Sequence, residues 1–173
     1  MYFLRSSGGS GSITHLAGEL FKLSTRVNLV HIPYKSIGIA TGDVLGGQMH
    51  AAFPTMPGIV GHVRGGRLRA LGVSSAKRSP ALPDVPTFEE NNIGGMIVSN
   101  WFGAFAPARL PADLLTSLHK AVLDAMQSPD VRGKLNNLSL DITTMKPQEF
   151  DAFLKQELEK WGKVVKAAGI KAD

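Results

Sequence analysis

The densest run of side chains able to do chemistry lies near the amino end, at Ser6-Ser7-Gly8-Gly9-Ser10-Gly11-Ser12-Ile13-Thr14-His15. Its glycines let the backbone reach positive φ and approach a ligand closely. Ser10 and Ser12 offer hydroxyls, and Ser12 or Thr14 can cap the first turn of a following helix. Unpaired helix amides and the helix dipole favour a carboxylate or phosphate at such a place. Ser10, Gly11, Ser12 and Thr14 therefore form a candidate anion cradle. His15 is placed opposite the apolar stripe of the helix, at a ligand-side or solvent-exposed position. The run is not a Walker loop, because no Gly-Lys-Ser/Thr follows. Gly9-Ser10-Gly11 begins a dinucleotide fingerprint, but position 14, where the third glycine is wanted, holds Thr14, which argues against nucleotide binding.

Other chemistries find less support. The absence of cysteine removes disulfides, zinc-thiolate sites and thiol catalysis. His15, His31, His50, His62 and His119 are scattered, with no i, i+4 pair and no acidic cluster, so no metal or other cofactor is expected. A small serine esterase using Ser10 or Ser12 with His15 is the alternative from another class. It lacks a Gly-x-Ser-x-Gly elbow and has only Asp43 and Asp84 as orienting acids in the sheet region. Tyr34 and Lys35 follow a strand end, where the lysine is placed either to meet a carboxylate or to be solvated.

The elements that would position the bend alternate. Strand-like Tyr2-Phe3-Leu4 precedes it, and residues 13–24 form a helix with Ile13, Leu16, Ala17, Leu20 and Phe21 on the apolar side and Glu19 and Lys22 on the other. Strands follow at Val27–Ile32, Gln48–Phe53 and Arg67–Ser74, separated by helices at Ile37–Leu45 and Pro57–Arg64. This rhythm predicts an α/β fold with a parallel sheet and ligands beyond the carboxyl ends of its strands, so that Ser6–Ser12, Pro33–Ser36, Pro54–Pro57 and Ser74–Ser79 share one edge. Beyond the Pro-rich connection Lys77–Pro86 come a short helix at Thr87–Asn91 and a strand at Val98–Ala106. Helices are then predicted from Pro111, from Pro129 to about Leu135 and from Pro147, with a short strand at Leu140–Thr143. Phe150, Phe153, Leu154, Trp161, Val165 and Ala168 make the apolar face of the last helix. Glu157 falls within that arc and calls for a hydrogen-bond or ion-pair partner.

With 173 residues, 43% of them apolar, the chain is long enough for a real core, and its formal net charge of +5 suits a carboxylate binder. The five lysines from Lys155 to Lys171 alternate with Glu157 and Glu159 as on a solvated helix face, which is not a nucleic-acid stripe. No secretory signal is evident at the start, and no apolar run reaches the length of a membrane span.

Taken in order, Gly8-Gly9-Ser10-Gly11-Ser12, His15-Leu16-Ala17-Gly18-Glu19-Leu20-Phe21, His31-Ile32-Pro33-Tyr34-Lys35, Leu45-Gly46-Gly47-Gln48, Leu68-Arg69-Ala70-Leu71-Gly72-Val73, the stretch from Ser75 to Thr87, Trp101-Phe102-Gly103 and Trp161-Gly162-Lys163-Val164-Val165 resemble the Bug family. These are extracytoplasmic solute-binding receptors of tripartite tricarboxylate transporters. The resemblance implies a periplasmic binding protein-like fold of two α/β lobes closing on a small carboxylate without turnover, a membrane transporter as partner and a periplasmic location. It assigns residues 1–100 to one largely complete Rossmann-like lobe. It assigns residues 101–173, a crossover strand and C-terminal helices, to a second, incomplete lobe. Family members are longer, and the N-terminal part that this chain lacks would carry the export signal and most of the other lobe's sheet. Self-association through the incomplete lobe is the expected consequence, and a truncated product without binding of its own is a further alternative. Many members have an Asp after the strand ending at Phe53. Here Pro54 and Thr55 stand there, so the resemblance implies a plain mono- or dicarboxylate in preference to an amino acid, with Thr55 assisting the bend.

Overall fold

A computed structural model describes residues 2–170. The chain divides into two compact units, one made of the residues up to Asn100 together with those from Glu159 onward, the other of Trp101–Leu158.

The first unit is built on a parallel sheet of β1 (Phe3–Ser7), β2 (Leu29–Pro33) and β3 (Ala51–Ala52), in the order β2-β1-β3. Arg5 pairs with His31 on one side and Ala51 on the other. Helices α1 (Ile13–Thr25), α2 (Ile37–Leu45) and α3 (Met56–Arg64) follow the three strands in turn. The path from β1 to β2 steps one way and the path from β2 to β3 steps back past β1, so right-handed crossovers put α1 and α2 on opposite faces. The side-chain alternation of β1 agrees: Arg5 meets Gly18 and Glu19 of α1, whereas the Ser6 hydroxyl donates to the Ala40 carbonyl of α2 at 3.3 Å. His50 prolongs the β1–β3 ladder, its amide donating to the Leu4 carbonyl and its Nδ1 accepting the Leu4 amide at 3.0 Å.

The helix starts follow local chemistry. Ser12 and Ser36 cap α1 and α2 through their hydroxyls, and Thr55 stands at the start of α3 with Pro57 in the first turn. Several predicted elements do not form. Arg67–Ser74 is no strand apart from a single bridge between Val73 and Thr87, and Leu71 is 68% exposed. β3, predicted over six residues, keeps two, and a ladder that short gives a fourth strand no register to extend. Thr87–Asn91 is a turn rather than a helix. It nevertheless carries a reciprocal capping box, Thr87 amide to Glu90 carboxylate at 2.7 Å and Glu90 amide to Thr87 hydroxyl at 3.0 Å.

The second unit contains α4 (Ala112–Gln127), α5 (Pro129–Asn137) and the first part of α6 (Pro147–Ala168). Val98–Ala106 and Leu140–Thr143, expected as strands, are irregular, since no described strand lies beside them to complete a ladder. Trp101 packs edge-on against Phe150 and Phe153, and its indole N–H donates to Glu157 at 3.3 Å, which gives that carboxylate its partner across the packing. Along α4, Leu114, Leu115, Leu118, Val122 and Met126 are all exposed.

Candidate functional site

In an open α/β sheet, ligands gather outside the carboxyl ends of the strands where the chain reverses its direction of travel across the sheet. Here that point lies between β1 and β3, and the two connections flanking it are Gly8–Ser12 and Phe53–Thr55. The topology thus brings the hydroxyl-rich bend and Thr55 to one sheet edge, with the β2–α2 turn at Tyr34–Ser36 on the same edge. The fourth turn predicted there, Ser74–Ser79, has no strand to place it.

Within the bend, Gly9 and Gly11 have φ of +127° and +72°, values that only glycine adopts without strain. The flanking elements hold each glycine amide. Gly8 N–H donates to Thr14 Oγ1 at 2.9 Å, Gly9 N–H to Ser7 Oγ at 3.2 Å and Gly11 N–H to His15 Nδ1 at 3.1 Å. Ser12 Oγ donates to the Gly9 carbonyl at 2.7 Å and accepts the His15 amide. The Ser10 amide and hydroxyl and the first two amides of α1, from Ile13 and Thr14, donate to no described residue, and the two helix amides have no intrahelical acceptor. No acidic side chain lies in the first turn of α1 to neutralise its positive end. Ser10 and Gly11 are exposed, Ser12 and Thr55 half-buried and Thr14 buried.

Two hollows are present elsewhere in this unit. One of about 400 Å³ lies against Lys22, Arg26 and Ala168, and one of about 450 Å³ against Arg64 and Leu82. The bend lines neither of them.

His15 departs most from expectation. It is buried, 7% exposed, and stacks on His31 with ring centroids 3.8 Å apart. Because Nδ1 accepts the Gly11 amide, the ring proton of the neutral imidazole sits on Nε2, 3.6 Å from Glu19 Oε1. The His15 ring thus has no bond to the Ser10 or Ser12 hydroxyl, so His15 and these serines do not form the base–nucleophile pair of the esterase alternative. Among the described residues no group of three or more His, Asp or Glu side chains is placed to hold a metal.

Sequence reasoning missed the polar layer beneath the bend. Arg5, fully buried in the central strand, is ion-paired with Glu19, which is also buried and so not on the solvent side of α1; Lys22 reaches Glu19 at 3.0 Å. Among the described residues the Nε and Nη1 of Arg5 have no hydrogen-bond partner. Burial pushes the Arg5 guanidinium below its ordinary value against the pull of Glu19. Burial also works to raise Glu19, but the Lys22 hydrogen bond and the Arg5 charge outweigh it and hold that carboxyl low. Burial, and then the Arg5 charge, lower His15. Burial, and then His15, lower His31 to about 4. His31 Nε2 lies 2.6 Å from Ser7 Oγ. The signal available in the sequence was Gly18, a glycine in mid-helix beside a carboxylate, which marks a close approach by another group.

Comparison with known proteins agrees with this architecture. A family model described as tripartite tricarboxylate transporter family receptor matches residues 3–170. Protein BugT of Bordetella pertussis is 34% identical over 161 residues, covering 93% of this chain and 49% of that protein. The chain spans about half the length of most curated relatives it matches. An exception is a UPF0065 protein from the clcB-clcD intergenic region of Pseudomonas knackmussii, 28% identical, of which 94% is covered. Among solved structures, the periplasmic binding protein BugD superposes with a TM-score of 0.83 at 29% identity, covering 99% of this chain and 58% of that one. An R. palustris protein with adipate gives 0.83 at 31% identity, with 97% and 56% covered. MatC from Rhodopseudomonas palustris with bound malate gives 0.76 at 26% identity, with 94% and 56% covered. The fold is that of the periplasmic binding proteins, and the chain belongs to the tripartite tricarboxylate transporter receptor family.

Proposed function

We propose that this chain forms one wall of a receptor site for a small mono- or dicarboxylate, held without chemical change. The carrying observation is the open bend at the β1/β3 reversal point. It offers the unpaired amides of Ser10, Ile13 and Thr14 and the Ser10 hydroxyl to an anion, beside a helix start that no carboxylate neutralises. Gly11 and Ser12 shape the bend, and Thr55 approaches from the end of β3. The relatives solved with adipate and malate support a carboxylate ligand. In this reading the residues up to about 100 are the binding lobe and those from 101 belong to a second lobe. A membrane transporter receives the solute, and the receptor works in the periplasm. None of the helices described is long and apolar enough to cross a membrane. The exposed row on α4 supports self-association of the isolated chain, which sedimentation velocity over a concentration series tests.

The binding test is a titration of the amide spectrum with succinate, adipate and malate. Shifts confined to Ser10–Thr14 and Thr55 are expected, with millimolar affinity because a single wall buries little of the ligand. An unresponsive bend refutes the reading.

A further inference from the structure

We propose that His15 is a positioning residue of the carboxylate cradle, acting through a closed circuit of contacts that fixes both positive-φ glycines of the bend. The inference rests on the reading of that bend as a cradle. The circuit runs from the Gly11 amide to His15 Nδ1, by ring stacking from His15 to His31, from His31 Nε2 to Ser7 Oγ, and from Ser7 Oγ to the Gly9 amide. It draws on α1, β2 and β1, and the register Arg5↔His31 is what brings His31 under the helix. A bend of alternating Gly and Ser has little conformational preference of its own, so its shape is set by what its amides bind. By engaging the Gly9 and Gly11 amides, the circuit leaves those of Ser10, Ile13 and Thr14 as the ones with no acceptor among the described residues.

The acceptor role of Nδ1 requires a neutral His15. The groups facing it are Arg5 from β1, His31 from β2, and Glu19 and Lys22 from α1. Burial, and then the Arg5 guanidinium, oppose its protonation, while Glu19, already engaged by Arg5 and Lys22, stands on the Nε2 side and favours the tautomer whose proton is there. His15 thus contributes no charge to the ligand. It withholds one amide and so orients the others.

Two measurements on the full chain test this. Long-range imidazole ¹⁵N spectra at pH 7 should show His15 protonated on Nε2 alone, with the Gly11 amide protected from exchange. Succinate titrations should show His15→Asn, whose Oδ1 can accept the Gly11 amide, within about threefold of the parent, and His15→Leu weakened about tenfold or more. A proton on Nδ1, or His15→Leu binding succinate like the parent, overturns the inference while leaving the cradle reading intact. No succinate response from the parent, with the tautomer as expected, overturns the cradle reading and the ligand-positioning role with it. Should His15→Leu fail to fold, His15→Asn decides: a protected Gly11 amide with retained affinity supports the circuit, and an exposed one refutes it.

Discussion

Replacing Gly18 by alanine sets two physical effects against each other. In an exposed helix interior the change stabilises by about 1 kcal/mol. Here a Cβ at position 18 would fall 2.5 Å from Arg5 Cζ and 2.7 Å from Nε, inside any real contact distance. The guanidinium has nowhere to retreat, because Arg5 is fully buried and its pairing with Glu19 fixes it. Displacing it breaks a buried ion pair at a cost of about 3–5 kcal/mol. The net expectation is destabilisation by about 2–4 kcal/mol, the opposite sign to helix propensity alone. Amide exchange resolved by residue reads this within the first unit. Protection in β1 and α1 should fall by roughly 1.5 to 3 orders of magnitude, at about 1.4 kcal/mol per tenfold. In an Arg5→Val/Glu19→Leu background, which removes both charges and the crowding, the same substitution should be neutral or stabilise by up to about 1 kcal/mol. Unchanged or increased protection for Gly18→Ala in the parent chain refutes the account of Gly18 as the seat of the guanidinium.

Acid should loosen the first unit before its carboxylates titrate. His31 is lowered to about 4 and His15 is also lowered, so the unfolded chain binds more protons and stability falls as pH drops from about 6.5 toward 4. Partial exposure of His31 discounts the effect to about 1–2 kcal/mol; urea midpoints across that window measure it, and His31→Gln should flatten the slope. Ile13→Pro removes one unpaired amide at a helix position where proline fits, and Ser12 is already extended at ψ 157°. Succinate affinity should drop severalfold with helix content retained by circular dichroism. In the second unit a Cβ on Gly103 would lie 2.6 Å from Phe150 Cζ and 3.3 Å from Trp101. Gly103→Ala should therefore cost about 1–3 kcal/mol and shift Trp101 emission.

What could be read from the chain alone was whatever is decided within a few residues. Ser12 and Ser36 before apolar runs, and Pro129 and Pro147 at helix starts, locate α1, α2, α5 and α6 to within a residue or two. The bend with its caps was legible for the same reason. Strands at Arg67–Ser74, Val98–Ala106 and Leu140–Thr143 were not, because a strand exists only beside a partner and apolar alternation records half of that requirement. The layer of Arg5, Glu19, His15 and His31 was hidden more deeply. Glu19 looks like a surface carboxylate until the register of β1 against β2 is known, and His15 looks like a helix-start side chain until His31 arrives beneath it.

The cation in the middle of the central strand also bears on the order in which this unit assembles. Without α1 the face of the β1–β2 pair that carries Arg5 would open to water and the guanidinium would be hydrated; it is α1 that removes that water and, through Glu19, supplies the carboxylate that replaces it. Cover and counter-charge therefore arrive in the same docking step, because Glu19 stands next to Gly18, which seats the guanidinium on that helix.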